Sequence, residues 1–207
     1  MSGEDGSPRE NDGERFDRLP ATAAERAVEG RATRREVTDW WVERFGLDRE
    51  TFAACSFWEK GAGKVWAFAG DVESPADVEG LGMTFLRTRQ EHWKPTTDAV
   101  QRFGREATAN VVVLDPGEAR TFLRGEDTDP DWDGDCGYLI AAHEIAGGVP
   151  VGVGVLAAEE RTGLPGVQHH DVRRRLAAEP LDGVRRRLPV LLAGPKERHA
   201  EALDVGR

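Results

Sequence analysis

The apolar residues of this chain come in short runs, each closed by glycine, proline or a helix cap. "FWEKGAGKVWAFA" predicts two strands around a glycine-rich turn, with Trp66 and Phe68 on the face opposite Val65 and Ala67. "CGYLIAAHE" and "VPVGVGVLAA" predict a second hairpin, while "LGMTFLRT" and "NVVVLD" predict single strands. Runs this short fit a small sheet protein and exclude a membrane helix, which needs about 20 apolar residues.

Helices are predicted between these strands from their capping residues. "TRREVTDWWVERFG" begins with a capping box formed by Thr33 and Glu36 and stops at Gly46. "PGEARTFLRG" has the same features, with Asp115 as cap and Glu118 three residues on. Weaker signals predict three more helices: over "ATAAERAVEG", from Ser74-Pro75, and over "TTDAVQRFG" with Thr96 or Thr97 as cap.

The excess of acidic residues is informative about the salt concentration around the protein as well as about its binding partners. Asp and Glu number 38 against 28 basic residues, and Lys occurs only at positions 60, 64, 94 and 196. Acid-rich, lysine-poor surfaces are associated with extreme halophiles, where molar salt shortens the Debye length to about 3 Å. Under such conditions a net charge of −10 does not exclude nucleic-acid binding. The polar N-terminus is unlike a signal peptide, so a cytoplasmic location is expected.

Signatures of catalysis and metal binding are missing from the sequence. It contains no G-x-S-x-G, H-E-x-x-H or G-x-G-x-x-G motif, and "GAGK" is too short for a phosphate loop. Cys55 and Cys136 lie far apart without a neighbouring ligand, and the acidic loop "EDTDPDWDGD" lacks the EF-hand glutamate. We therefore expect no enzyme activity, no cofactor and no metal. A site assembled from scattered residues remains the weaker alternative.

The order of motifs from residue 60 to 158 resembles the C-terminal region of the RNA cytosine-5 methyltransferases of ribosome assembly. The matching pieces are Gly63-Lys64, "GMTFLRTRQEHWKPTTDAV", "NVVVLD", "EARTFLRGE", "GYLIAAHE" and "VGVGV". The catalytic half of that family has no counterpart, because "AACSFW" and "GDCGY" do not match its Pro-Cys and Thr-Cys motifs. The resemblance is therefore to a stand-alone halophilic archaeal relative without the catalytic domain.

The resemblance implies an α+β fold with a PUA-like RNA-binding domain. We expect four parts: a disordered acidic tail (1–19), an α/β pre-PUA-like module (20–105), a small mixed PUA-like β-barrel with flanking helices (106–165), and an arginine-rich C-terminal segment of undetermined fold (166–207). "VRRRL" occurs twice in the last part. It is either a basic arm for phosphates or the outer face of short terminal helices.

The basic stretch "RTRQEHWKPTTDAVQRFG" is the predicted RNA-binding surface. Arginine planes and aromatic rings would stack on unpaired bases, and lysines would contact phosphates. The opposing interpretation buries Trp93 in the core and pairs the charges with Asp98 and Glu106. The candidate RNA-binding residues are Lys64, Arg87, Arg89, His92, Trp93, Lys94, Arg102, Arg173, Arg174, Arg185 and Arg186.

We expect a non-catalytic protein that binds ribosomal or transfer RNA as an accessory of modification or ribosome assembly. The alternative is an adaptor that docks on a separate RNA methyltransferase and keeps the fold only as a scaffold.

Overall fold

The computed structural model describes residue 11 and residues 13–89, 92–144, 148–159 and 173–178. Its regular elements are β1 (Asp17–Arg18), α1 (Arg34–Phe45), β2 (Cys55–Glu59), β3 (Lys64–Ala69), β4 (Met83–Arg87), β5 (Lys94–Pro95), α2 (Thr97–Phe103), β6 (Val111–Leu114), α3 (Pro116–Leu123), β7 (Gly137–His143), β8 (Val149–Glu159) and β9 (Arg173–Ala178). Helices and sheets of mixed direction confirm the predicted α+β class.

The strands form two sheets that follow chain order. The first is β1-β2-β3-β4-β5 and is antiparallel throughout. The second is β6-β7-β8-β9, in which β6 and β7 are parallel and the other pairs are antiparallel. Helix α3 makes the crossover between β6 and β7, as a parallel connection requires. Both predicted hairpins, β2–β3 and β7–β8, are confirmed.

The capping residues fix the two strongest helices where the sequence predicts them. In α1, Glu36 N donates to Thr33 Oγ1 at 3.1 Å and Thr33 N donates to Glu36 Oε2 at 2.9 Å. Asp115 and Glu118 make the same reciprocal pair at α3. For α2 the structure selects Thr96 as the cap, because its hydroxyl accepts the Ala99 amide at 3.2 Å.

The main hydrophobic core spans both sheets. Trp41, Phe52 and Phe85 form its aromatic centre, with ring centroids 4.9 to 6.4 Å apart. Helix α2 packs against both β4 and β8, and Ile140 and Val153 from the second sheet belong to the same buried cluster. The core therefore crosses residue 105, where the sequence places a boundary between modules, and that division stays a prediction.

Two weaker helix predictions are wrong. Residues 21–30 contain only a 3-10 turn, Ala23–Glu25, because the carbonyls of Pro20 and Ala21 accept the first amides of α1 instead of continuing a helix of their own. After Ser74-Pro75 the chain is extended, because Ala76 and Phe16 exchange two backbone hydrogen bonds of 2.8 and 2.9 Å. A contact between segments 60 residues apart leaves no local trace in the sequence.

Three further differences concern predicted order and burial. Residues 13–19 fall in the predicted disordered tail, yet Phe16 is fully buried and the segment leads into β1. Residues 173–176 of the first "VRRRL" lie in β9, so they are in a strand and not in a terminal helix. The run "NVVVLD" reads as a buried strand from its apolar composition, but in β6 only Val112 and Leu114 are buried and Val113 is 56% exposed. No helix within the described ranges is long and apolar enough to cross a membrane.

Candidate nucleic-acid interface

Three cationic side chains form a row across the first sheet. Lys64 on β3 pairs with Arg87 on β4, and Arg87 pairs in turn with Lys94 on β5. Residues paired directly across strands project to the same face, and neighbouring strands lie about 4.8 Å apart. The three positions therefore form a line about 10 Å long, which we call the cationic row (Lys64, Arg87 and Lys94).

The register of this row depends on a β-bulge. The pairing of β3 with β4 shifts between Val65 and Trp66, so that Val65 pairs with Leu86 while Trp66 pairs with Thr84. Without the extra residue, the alternation along β4 would turn Arg87 toward the opposite face. The bulge thus brings two basic residues, 23 positions apart in sequence, into one cross-strand pair.

Lys60 stands beside the cationic row, although the sequence analysis did not select it. Its Nζ lies 4.7 Å from the centroid of Phe16, and Lys64 Nζ lies 4.9 Å from that of Trp66. Phe16 and Trp66 are themselves in edge contact at 5.3 Å. The two ammonium groups therefore occupy neighbouring positions on one face. Three of the chain's four lysines lie at this end of the sheet, and that scarcity was the available sequence signal.

The glycine turn between β2 and β3 is held by side chains and does not form a phosphate cradle. The amide of Gly61 donates to Asn11 Oδ1, and the amide of Gly63 donates to Glu59 Oε1, each at 2.8 Å. Both glycines adopt positive φ angles of about 70°. Because these amides already have acceptors within the protein, an anion at this turn would meet the lysine side chains instead.

A buried ion pair supports the same turn. Arg31 Nε lies 2.7 Å from Glu59 Oε2, and the two side chains are 13% and 6% exposed. Asp17 Oδ2 lies 3.5 Å from the same guanidinium and accepts the amide of Asn11 at 2.8 Å. Glu59 therefore joins the ion pair to the turn amide, and the network fixes the backbone of the turn that lies between the two lysines.

The aromatic rings near the row are covered by the protein's own side chains. Trp58 and Phe16 are fully buried, and the Arg18 guanidinium lies 5.1 Å from the Trp58 centroid. Trp93 is half-buried and packs against the main core, as the opposing interpretation expected. The surface thus offers cations above rings rather than bare rings on which bases could stack.

The structure places the remaining candidates of the basic stretch outside the row itself. Arg89 is exposed and lies against Gly63, beside the row, and His92 is also exposed. Arg102 lies on α2, where its guanidinium group is 5.5 Å from the centroid of Phe103. It is not part of the cross-strand pairs that form the row.

The C-terminal arginines are only partly covered by the structure. Arg173 and Arg174 lie in β9, which is hydrogen-bonded to β8 through Glu159 and Ala158. Arg185 and Arg186 lie outside the described residues. Within the part of the chain that the structure describes, no group of three or more His, Cys, Asp or Glu side chains could hold a metal ion.

Comparisons with known proteins cover limited parts of the chain. Residues 1–82 match the "Family of unknown function (DUF7122)". Over 84 residues the chain is 26% identical to the ribosomal RNA small subunit methyltransferase F of Aeromonas salmonicida. The matched region covers 39% of this chain and 18% of that enzyme. A solved hypothetical protein from Pyrococcus horikoshii OT3 is similar over 58% of this chain and 75% of its own, with 17% identity and a TM-score of 0.38. The chain is thus similar in part to a ribosomal RNA methyltransferase.

Proposed function

We propose that the chain is a non-catalytic RNA-binding protein whose cationic row contacts RNA phosphates. The observation that carries this proposal is the in-register line of Lys64, Arg87 and Lys94, with Lys60 beside it, on a chain with 10 more acidic than basic residues. Like charges placed directly opposite each other destabilise a sheet. A function that uses the charges together gives a reason for placing them side by side.

The row suits phosphates better than bases. An ammonium group is a compact point charge and a guanidinium group is a fork that matches phosphate oxygens, and the row supplies both. Because the neighbouring rings are buried or covered by cations, base stacking adds little. Binding should then depend strongly on salt, with a slope of log K against log salt of about −0.7 to −0.9 for each phosphate contact.

The target we propose is ribosomal or transfer RNA, with the chain acting as an accessory of modification or ribosome assembly. The partial similarity to a ribosomal RNA methyltransferase supports this choice of RNA. The chain spans only 18% of that enzyme, so the proposal assigns no methyl transfer to it. We also propose that residues 106–165 are PUA-like, and the mixed strand directions of β6–β9 support that assignment.

The test compares two variants with equal charge change. Lys64→Gln combined with Lys94→Gln removes the two ends of the row, whereas Arg35→Gln combined with Arg49→Gln removes two exposed arginines elsewhere. Affinity for total ribosomal and transfer RNA is measured from low salt to about 2 M KCl. The row variant should lose affinity and reduce the salt slope by about 1.4 to 1.8, since two phosphate contacts are removed.

An equal loss in both double variants would mean that net charge, not the row, governs binding. The RNA proposal fails if the wild-type protein binds RNA weakly at every salt concentration and neither variant changes that affinity. Co-purification of a methyltransferase that survives nuclease treatment would then favour the adaptor function.

A further inference from the structure

A cleft lies at the opposite end of the first sheet from the cationic row. It is a cleft of about 730 Å³, within the range of small-molecule sites. The end of β1, the start of β2, the end of β3 and the first turn of α1 converge on it. Its polar lining comprises Arg18, Glu25, Arg34, Cys55, Ser56 and Asp71.

Arg34 is the positioned cation of this cleft. Its amide donates to Pro20 O at 2.8 Å, and its Nη2 donates to Phe52 O at 3.1 Å. The guanidinium group also lies 5.9 Å from the centroid of Phe57. A guanidinium group has five N–H donors, of which these side-chain contacts use one. No carboxylate of the described residues lies within ion-pair distance of Arg34.

The other charges of the cleft are already satisfied. Arg18 is paired with Asp71. The carboxylate of Glu25 accepts the Ala21 amide at 3.1 Å and the Thr22 hydroxyl at 3.2 Å. Of the two arginines that line the cleft, Arg34 is the one without a carboxylate partner among the described residues, so an anion in the cleft would meet it.

Cys55 also lines the cleft, and the pKa of its thiol reflects the charges around it. Burial raises the pKa of its thiol, and the guanidinium groups of Arg102 and Arg34 oppose that rise. Of these two arginines, Arg34 lines the cleft. Its guanidinium fork matches the oxygens of a phosphate group, whose double charge attracts it more strongly than the single charge of a carboxylate. The raised pKa also means that the thiol is mainly protonated at neutral pH, which fits a binding site rather than a nucleophile.

We propose that this cleft binds a phosphate monoester of nucleotide size, with Arg34 as its main anion ligand. The phosphate monoester has two possible sources, a free mononucleotide or the phosphorylated end of an RNA chain. The inference is independent of the cationic row, because the two sites lie at opposite ends of β3.

Cys55 supplies the measurement. The chain has two cysteines, and Cys136 is exposed, so Cys136→Ser leaves Cys55 as the single thiol. Its alkylation by iodoacetamide is followed by mass spectrometry at constant ionic strength with AMP, adenosine or inorganic phosphate. AMP at about ten times its dissociation constant should slow alkylation about ten-fold, because only the unoccupied site reacts. Adenosine, which lacks the phosphate, should leave the rate unchanged.

The matched variants are Arg34→Gln and Arg35→Gln, neighbours on α1, of which Arg35 is 72% exposed and pairs with Asp39. Protection by AMP should be lost in the first and kept in the second. If Arg34→Gln melts early, Arg34→Lys serves in its place; it keeps the charge but loses the forked donors, and it should weaken protection. Equal protection by adenosine, unchanged protection in both arginine variants, or no protection at millimolar AMP would overturn the proposal.

Two oligonucleotides distinguish the sources of the phosphate. An RNA with a 5′-phosphate and the same RNA with a 5′-hydroxyl are compared in the same assay. Stronger protection by the phosphorylated RNA identifies an RNA end as the ligand, and protection by AMP alone identifies a free mononucleotide. RNA binding with no effect of any phosphate on Cys55 would remove this inference and leave the proposed function intact.

Discussion

Lys64 and Arg87 face each other as a directly paired couple of like charges on adjacent strands. A double-mutant cycle with Lys64→Gln and Arg87→Gln should therefore give a coupling free energy of repulsive sign, about 0.2 to 1 kcal/mol. Urea unfolding at low salt measures it. In about 1 M KCl the coupling should become smaller, because screening shortens the reach of the charges to about 3 Å. An attractive coupling at low salt would contradict the pairing.

The buried pair of Arg31 and Glu59 predicts a large loss of stability when one partner is removed. Arg31→Met leaves the nearly buried Glu59 carboxylate beside Asp17 without its cation, which should lower the free energy of unfolding by about 3 to 5 kcal/mol. Combining it with Glu59→Gln should recover part of that loss, since the stranded charge disappears and an acceptor for the Gly63 amide remains. Denaturant unfolding of the three variants tests this. If the double variant is less stable than Arg31→Met, the stranded charge is not the cause.

Glu36 predicts a specific pH dependence. Burial alone would raise its pKa, but the Thr33 amide and the hydrogen bond and charge of Arg26 outweigh burial and lower it below the ordinary 4.5. A carboxyl group with a lowered pKa stabilises the fold above its ordinary pKa, and this contribution is lost as the pH falls through the folded-state value. Glu36→Gln keeps a capping side chain without the charge. The wild type should therefore be more stable than the variant at pH 6, and the difference should close toward pH 3.

Alanine substitutions at Gly30 and Gly46 distinguish the stability cost of backbone strain from that of a steric clash. Gly30 and Gly46 both have positive φ angles, 77° and 62°. A Cβ at Gly30 meets nothing within 4 Å, whereas at Gly46 it would lie 2.3 Å from Thr108 Oγ1. Gly30→Ala should cost only the conformational penalty of about 1 to 2 kcal/mol. Gly46→Ala should cost more, because Thr108 must also give up its 2.7 Å hydrogen bond to the Gly46 carbonyl. Thermal melting of both variants gives the comparison.

Local signals in the sequence predicted the elements whose stabilising contacts are themselves local. The caps Thr33 and Asp115 lie within three residues of their partners, and the turn at Gly61–Gly63 joins adjacent strands. The failures involve contacts made across long sequence distances. The bridge between Phe16 and Ala76 keeps the residues after Pro75 extended, and no window of nearby residues contains both partners.

The sequence predicted most residues of the candidate site but not their positions relative to one another. The basic stretch indicated Arg87 and Lys94, yet it grouped them with Arg102, which lies on α2 and outside the cross-strand pairs of the row. The pairing of Lys64 with Arg87 depends on the bulge after Val65, and the contribution of Lys60 depends on the position of Phe16. Neither bulge nor ring position has a sequence signature, so the row emerges only once the strands are paired.

Ile140 and Val153 belong to the second sheet but are buried with Trp41 and Phe85 of the first. Separating the two sheets would leave apolar surface open to water on both, at about 25 cal/mol for each Å². The two sheets should therefore melt together, in one transition rather than two. A gene fragment ending near residue 105 would encode half of a cooperative folding unit. Neither half of this protein should therefore fold alone or be transferable to another protein as a domain.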